Sequence, residues 1–356
     1  MEPSKDDTRI GNPELVERIR REIERIGPIT FERFMTMALY ETGLGYYAAQ
    51  GDGARLSIVD FQTSPQVHPA FGDLIAAELL RIWNHLGRPN PLIVAEPGAG
   101  DGTLARHIIT GISERCPDLA VRYHAADVRL GASIQSGVAG SDVSTWKSLE
   151  LLANSNERAH CVISNEFLDA LPVHRVHQVA GTVREVYVEW RDRGFSEQLG
   201  AASDAALEAW DVAEWPDPAE GWSGEVCSAV NPVVRAIAGL VERGVVLTID
   251  YGYGDNLHGQ VRPGESLVAY HRQQWTADLY RRIGEQDLTS HVDFRLFLRL
   301  GRRYGLEPAG SVSQRDFLLG SGLARFAEKW AHREPSPGKQ WQARFAMTNL
   351  VRADGL

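Results

Sequence analysis

Hydrophobic positions along the middle of the chain alternate between two rhythms. Leu92-Ile93-Val94-Ala95 is a short continuous apolar run closed by Glu96-Pro97-Gly98-Ala99-Gly100-Asp101-Gly102, the pattern of a buried strand running into a sharp turn. Leu104, Ala105, Ile108 and Ile109 then recur at helical spacing, so the stretch reads as strand, glycine loop and helix. The same alternation predicts strands at 92–96, 121–127, 160–165 and 245–250, with helices near 103–115, 145–155 and 231–243. Strands separated by helices imply a parallel sheet covered on both faces. In such sheets, ligands bind at the carboxyl ends of the strands.

Helical spacing also dominates ahead of this core. Asn12-Pro13-Glu14 supplies a cap and a first-turn proline for a helix whose apolar face is Leu15, Val16, Ile19, Ile23 and Ile26, stopped by Gly27-Pro28. A second helix spans Phe31 to Tyr40 and leads into a turn bearing Tyr46 and Tyr47, and a third runs from about Pro69 to Leu86. Residues 1–12 read as disordered. Between Pro172 and Gly244 the strand–helix alternation breaks. His174–Val179 and Val183–Trp190 form a hairpin, and 200–224, with Trp210, Trp215 and Trp222, reads as irregular. Those tryptophans either help enclose a site or form a small satellite core. The last third offers a strand at 266–270, a helix from His291 to Tyr304, a strand at 307–312, a helix near 314–321 and another over Trp341–Val351.

Composition narrows the possible partners. A formal charge of −10 over 356 residues argues against nucleic acid or an anionic membrane as the main partner and suits a cationic one. No apolar run approaches membrane-spanning length. Cys116, Cys161 and Cys227 are scattered, which suits a reducing compartment and gives neither a disulfide framework nor a zinc site. His174 and His177 flank a probable strand without converging, so no metal is expected. The N-terminus has neither the form of a secretory signal nor that of an acid-poor transit peptide. The cytoplasm is the expected compartment.

The glycine spacing discriminates between nucleotides. A dinucleotide fingerprint needs a third glycine at position 103, which is Thr103 here, and this disfavours a dehydrogenase. The pattern Glu96-x-Gly98-x-Gly100-x-Gly102 instead resembles motif I of the class I S-adenosylmethionine (SAM) methyltransferases. A second acid, for the ribose hydroxyls, is expected at the end of the next strand, where Asp127 stands.

Several stretches in order resemble the MidA-type SAM methyltransferases. They are Asp60-Phe61-x-Thr63-Ser64-Pro65 with Phe71-Gly72, the Glu96 loop, Asn165-Glu166-Phe167-x-Asp169-Ala170-Leu171-Pro172-Val173, Asp250-Tyr251-Gly252, and Asp287-Leu288-Thr289-x-His291-Val292-Asp293-Phe294. The family includes the mitochondrial complex I assembly factor that methylates an arginine of a complex I subunit. The resemblance covers roughly residues 28–322. It departs from the family where Ala99 and Asp101 replace a proline and an arginine, and where Asp127-Val128-Arg129 replaces a Glu-x-Ser sequence.

The resemblance implies a Rossmann-like α/β fold: a helical N-terminal extension over 1–90 and a SAM-binding core over 91–356, with a β insertion at about 174–230. It implies SAM as cofactor, S-adenosylhomocysteine as product and arginine N-methylation of a protein or peptide. A small-molecule or biosynthetic-peptide acceptor, or a SAM-binding assembly factor without turnover, are the alternatives; a homodimer is possible in each case. Cofactor contacts are expected from Glu96, Gly98, Ala99, Gly100, Gly102, Asp127 and Asn165. Thr63-Ser64-Pro65 either folds over the cofactor or is a plain helix-start turn.

Methyl transfer mainly requires a nucleophile to be aligned with the S–CH₃ bond. A guanidinium nucleophile needs carboxylates to fix its plane and accept a proton. Glu166 and Asp169, with Asn165, are the catalytic candidates. Glu166 is otherwise an exposed strand-end acid, and Asp169 otherwise a helix N-cap. Tyr251, His291 and Asp293 are candidate substrate contacts. The other readings are a core position for Tyr251 and a helix-dipole role for Asp293.

Overall fold

The computed structural model describes residues 10–49, 64–129, 138, 140–213, 219–254, 266–272, 274–333 and 336–351. In chain order the first elements are α1 (Pro13–Ile26), β1 (Ile29–Thr30), α2 (Phe31–Tyr40), α3 (Ser64–Val67), α4 (Ala70–His85), β2 (Leu92–Pro97), α5 (Thr103–Arg115), β3 (Val121–Ala126), β4 (Ser141–Trp146), α6 (Leu149–Ala153) and β5 (Ala159–Asn165). The middle comprises β6 (His174–Val179), β7 (Thr182–Arg191), β8 (Gly194–Ala201), α7 (Asp204–Ala213), β9 (Ser223–Val226), α8 (Val230–Leu240) and β10 (Val241–Ile249). Then come β11 (Gly252–Tyr253), β12 (Val268–His271), β13 (Gln274–Thr276), β14 (Asp287–Thr289), β15 (Val292–Asp293), α9 (Phe294–Arg303), α10 (Gln314–Gly320), α11 (Leu323–Arg333) and α12 (Pro337–Asn349).

The central sheet is parallel in the order β10-β5-β2-β3-β4. Its inner strands β2 and β5 read as apolar runs because both faces are covered. Val94, Cys161 and Ile163 point into a core with Phe71, Leu74 and Leu79 of α4 and Leu104, Ile108 and Ile109 of α5. Ala95 and Val162 point the other way, against Val233, Val234 and Ile237 of α8 and Leu296 and Leu300 of α9. In this order the chain reverses direction across the sheet at β2, where β3 lies on one side and β5 on the other. That switch point opens a crevice at the carboxyl ends. The register brings Pro97 opposite Ala126 and Asn165 opposite Ile249, so the residues after each strand meet at one edge.

Gly72 has a packing reason. A Cβ there would lie 2.5 Å from the His107 Cβ, so α4 and α5 approach closely only because position 72 lacks one.

A second, antiparallel sheet runs β1-β7-β6-β9, with β8 on the far side of β7. Leu15, Ile19, Phe31 and Phe34 of the N-terminal helices share one core with Val173, Val188, Ala269 and Leu288. Residues 13–47 and the insertion are therefore packed as one unit, while α4 belongs to the core of the parallel sheet.

Local departures from expectation have local causes. Residues 145–155 are not one helix: Ser141–Trp146 is an edge strand, half-exposed and polar, which hides the apolar run that marks a strand. Residues 307–312 form no strand; Pro308 lacks a backbone donor and Val312 is 63% exposed. The stretch 200–224 is more regular than its composition suggests, holding the end of β8, α7 and β9. Trp210 and Trp222 meet edge to face at 5.4 Å over Ala206, Ala209 and Val226, a satellite core. Trp215 lies outside the described residues.

Candidate active site

The glycine loop after β2 takes its shape from backbone conformations only glycine adopts readily. Gly98, Gly100 and Gly102 have φ of 75°, 57° and 76°, alternating with Ala99 and Asp101 so that the loop folds flat over the strand end. The amide of Gly98 donates to the carbonyl of Ala126 at 2.8 Å and that of Gly102 to Ala99 at 2.8 Å. Asp101 accepts from the Thr103 amide at 2.9 Å, so this departure from the family pattern helps start α5.

Two acids flank the loop. Glu96 is 2% exposed and accepts a hydrogen bond from the Tyr123 hydroxyl at 2.7 Å. Burial pushes its carboxyl up to about 7 against that hydrogen bond, with the Asp127 charge adding to the rise. Asp127 accepts from the Gly100 amide at 2.9 Å and from the Arg129 amide at 2.8 Å, with the Arg129 guanidinium at 3.2 Å.

The turn after β5 carries the next group. Asn165 is buried and donates its amide hydrogen to Glu166 Oε1 at 3.1 Å, which also accepts from the Ser64 amide at 3.4 Å. Glu166 itself has φ of 48°, an uncommon conformation for a non-glycine residue that persists only when its surroundings hold it. Asp250 provides part of that hold. It accepts from the amides of Phe167 at 3.2 Å, Leu168 at 2.9 Å and Tyr251 at 3.0 Å. Asp169 accepts from the Tyr251 hydroxyl. Burial pushes the Glu166 carboxyl up to about 8 and the Asp169 carboxyl to about 6, and Asp169 adds repulsion at Glu166. Glu166 Oε2, Asp169 Oδ1 and Asn165 Oδ1 are buried without a hydrogen-bond partner among the described residues.

These groups line one cavity of about 260 Å³. Glu96, Gly98, Ala99, Gly100 and Asp127 border one part of it, and Asn165, Glu166 and Asp169 another. Pro65 also lines it, while the Ser64 hydroxyl is turned to the Gln314 side chain at 3.3 Å and Thr63 lies outside the described residues. Gly102 is not on the wall and sits in the left-handed conformation at the start of α5.

The three candidate substrate contacts stand behind the wall. Tyr251 touches the cavity only through Asp169. His291 packs edge-on against Tyr251 at 5.5 Å and borders a separate cavity of about 40 Å³. Asp293 caps α9, accepting from the amides of Arg295 at 3.0 Å and Leu296 at 3.2 Å, so its dipole reading is the one realised.

Conversely, Tyr40, Tyr46, Tyr47, Arg129 and Asp287 line the cavity without having been singled out. The aromatic turn and the Asp-Leu-Thr stretch were the available signals, but nothing local to either says that they face β2.

The donor set fits SAM. Acids accept hydrogen bonds from hydroxyl and ammonium groups and favour a sulfonium, and the loop backbone leaves space beside Glu96 where side chains would otherwise project. Residues 74–312, about two thirds of the chain, match the family described as "Putative S-adenosyl-L-methionine-dependent methyltransferase". The chain belongs to this family. The chain is similar to the mitochondrial protein arginine methyltransferase NDUFAF7 homologue of Drosophila melanogaster, 26% identical over 94% of this chain and 82% of that protein. The human protein arginine methyltransferase NDUFAF7 is 24% identical over 85% of this chain and 71% of its own length. A likely methyltransferase structure from Burkholderia thailandensis, bound to S-adenosylhomocysteine, is 28% identical with a TM-score of 0.78, covering 96% of this chain and 89% of that one. As a SAM-dependent methyltransferase, the chain places its glycine loop and both flanking acids on a single crevice.

Proposed function

We propose that this methyltransferase N-methylates an arginine side chain of a protein partner. The observation that carries the reading is the pair of buried carboxylate oxygens, Glu166 Oε2 and Asp169 Oδ1, that lack partners among the described residues in the cavity beside the glycine loop. A buried polar group without a partner is costly, and a cationic donor is the occupant that relieves two of them together. The curated relatives, named as protein arginine methyltransferases, support the same acceptor.

Glu96, the Gly98–Gly100 backbone, Asp127 and Asn165 would hold the cofactor. When bound, SAM supplies a methyl group already activated by its sulfonium. The protein's own residues position the acceptor. Glu166 and Asp169 accept hydrogen bonds from the guanidinium edges and fix its plane, and the gain in rate comes from that alignment. A guanidinium is a weak nucleophile that stays protonated at neutral pH. As the new N–CH₃ bond forms and the S–CH₃ bond breaks, one N–H proton leaves, and Glu166 accepts it. Its carboxyl, raised to about 8 by burial, is a better base than an ordinary carboxylate.

The test is a peptide library with one central arginine, compared with its lysine counterpart, read by S-adenosylhomocysteine formation and peptide mass. The reading expects methylation of the arginine library, abolished in Glu166→Gln while S-adenosylhomocysteine binding persists. Equal rates on lysine, or no turnover on arginine, sink it.

A further inference from the structure

Asp287 reaches the same cavity as Glu166 from a different part of the fold. It opens β14, which pairs with β12 in the part of the fold built around the N-terminal helices, and it is 4% exposed. The Tyr47 hydroxyl donates to its carboxylate, lying 2.8 Å from one oxygen and 2.7 Å from the other. Tyr47 is fixed in turn. It stacks on Tyr40 at 5.6 Å and meets Tyr46 edge-on at 5.0 Å, and the Arg129 guanidinium lies over its ring at 5.2 Å. The Tyr40 hydroxyl donates to the carbonyl of Ala170 at 2.9 Å, which ties this aromatic wall to the turn bearing Glu166 and Asp169.

Three carboxylates thus converge on one cavity from two separately built walls, and none has an ion-pair partner among the described residues. Arg129, the cation on the wall, is engaged by Asp127. Two carboxylates suffice to hydrogen-bond a guanidinium; a third adds negative charge that the described residues of the pocket do not balance. Protonation offers partial relief: burial pushes Asp287 up to about 7, with Asp169 adding to the rise and Tyr47 and Arg129 opposing it. A bound cation gives fuller relief, and a neutral molecule of the same shape gives none.

We propose that Asp287, held by Tyr47, is a specificity-determining residue of the acceptor site, whose charge makes the pocket select a guanidinium over its neutral isostere. The proposal rests on the arginine reading and deepens it. Tyr47 is a positioning residue that acts through Asp287.

The experiment uses the full chain saturated with S-adenosylhomocysteine and follows thermal unfolding against N-ethylguanidinium or N-ethylurea at matched ionic strength. The two probes share a shape and differ in charge. Wild type is expected to be stabilised by the guanidinium and not by the urea. In Asp287→Asn the apparent guanidinium affinity falls at least tenfold, with the response to urea unchanged or improved. Tyr47→Phe, which keeps the acid and removes its holder, gives a smaller fall in the same ratio. S-adenosylhomocysteine titration of each variant establishes that it is folded. An unaltered preference in Asp287→Asn overturns the inference and leaves the arginine reading standing, whereas a wild type without preference overturns both. If Asp287→Asn does not fold, an unchanged ratio in Tyr47→Phe overturns the inference by itself.

Discussion

Replacing Glu166 with glutamine should stabilise the ligand-free protein, by an amount that grows as pH rises from about 4.5 to about 8. The unfolded chain ionises this carboxyl near 4.5, whereas burial and the Asp169 charge hold it near 8 in the folded protein. Between those pH values the folded state carries a proton that the unfolded state has lost, so the wild type loses stability as pH rises from about 4.5 to about 8. At about 1.36 kcal/mol per pKa unit the limit is about 5 kcal/mol. Sharing the strain with Asp169 reduces this to roughly 2–3 kcal/mol. Glutamine keeps an oxygen for the Ser64 amide and the Asn165 side chain and removes the charge. Scanning calorimetry from pH 5 to pH 9 should show nearly equal melting temperatures at pH 5. Above pH 8 the variant should melt higher, by about 4 °C at roughly 2 °C per kcal/mol. An offset between the two proteins that does not change with pH would refute the reasoning, because it would mean that the carboxyl is not held protonated by the fold.

Three further outcomes follow from the same geometry. Gly98→Ala brings a Cβ to 2.8 Å from the Phe167 side chain at a φ of 75°; calorimetric titration should show at least tenfold weaker S-adenosylhomocysteine binding, with a stability loss of about 1–3 kcal/mol. Tyr123→Phe removes the 2.7 Å hydrogen bond to the buried Glu96, costing about 1–3 kcal/mol in urea unfolding and weakening S-adenosylhomocysteine binding without touching the cavity wall. If Glu166 accepts the proton, kcat/KM on the arginine library should rise with pH and level off above about 8, and a profile flat from pH 6 to 9 would contradict that role.

Much of the nucleotide side of the site was legible because its chemistry is local. A run such as Leu92–Ala95 is apolar throughout only if both faces of its strand are buried, and Gly98, Gly100 and Gly102 are spaced for a loop that alternates into left-handed backbone. The helix caps at Asn12 and Asp293 were readable for the same reason: each acts within three residues of itself. The acceptor side was not legible. Tyr47 and Asp287 are 240 residues apart and meet only because β14 and α2 share one core. His291 illustrates the opposite error. Its motif stands near the site in sequence, but β15 places it behind Tyr251, on the far side of Asp169.

That division has a physical consequence for how the crevice works. One wall is the carboxyl edge of a parallel sheet, rigid because its inner strands β5, β2 and β3 are each bonded on both sides and the turn after β5 is gripped by Asp250. The other wall is an aromatic cluster mounted on helices and antiparallel strands, and described hydrogen bonds such as Tyr40 to Ala170 join the two. Charge accumulates where the walls meet, with Glu166 and Asp169 on one side and Asp287 on the other. Neither wall alone would keep its carboxylates out of water, so their raised affinity for protons is a property of the closed crevice. Disrupting the Tyr40–Tyr47 stack should therefore lower the pH at which all three acids ionise, even though no charge is removed. Carboxylate titration of Tyr40→Ala by isotope-edited NMR would show that coupled fall, and acids that titrate as in wild type would mean that each wall buries its own.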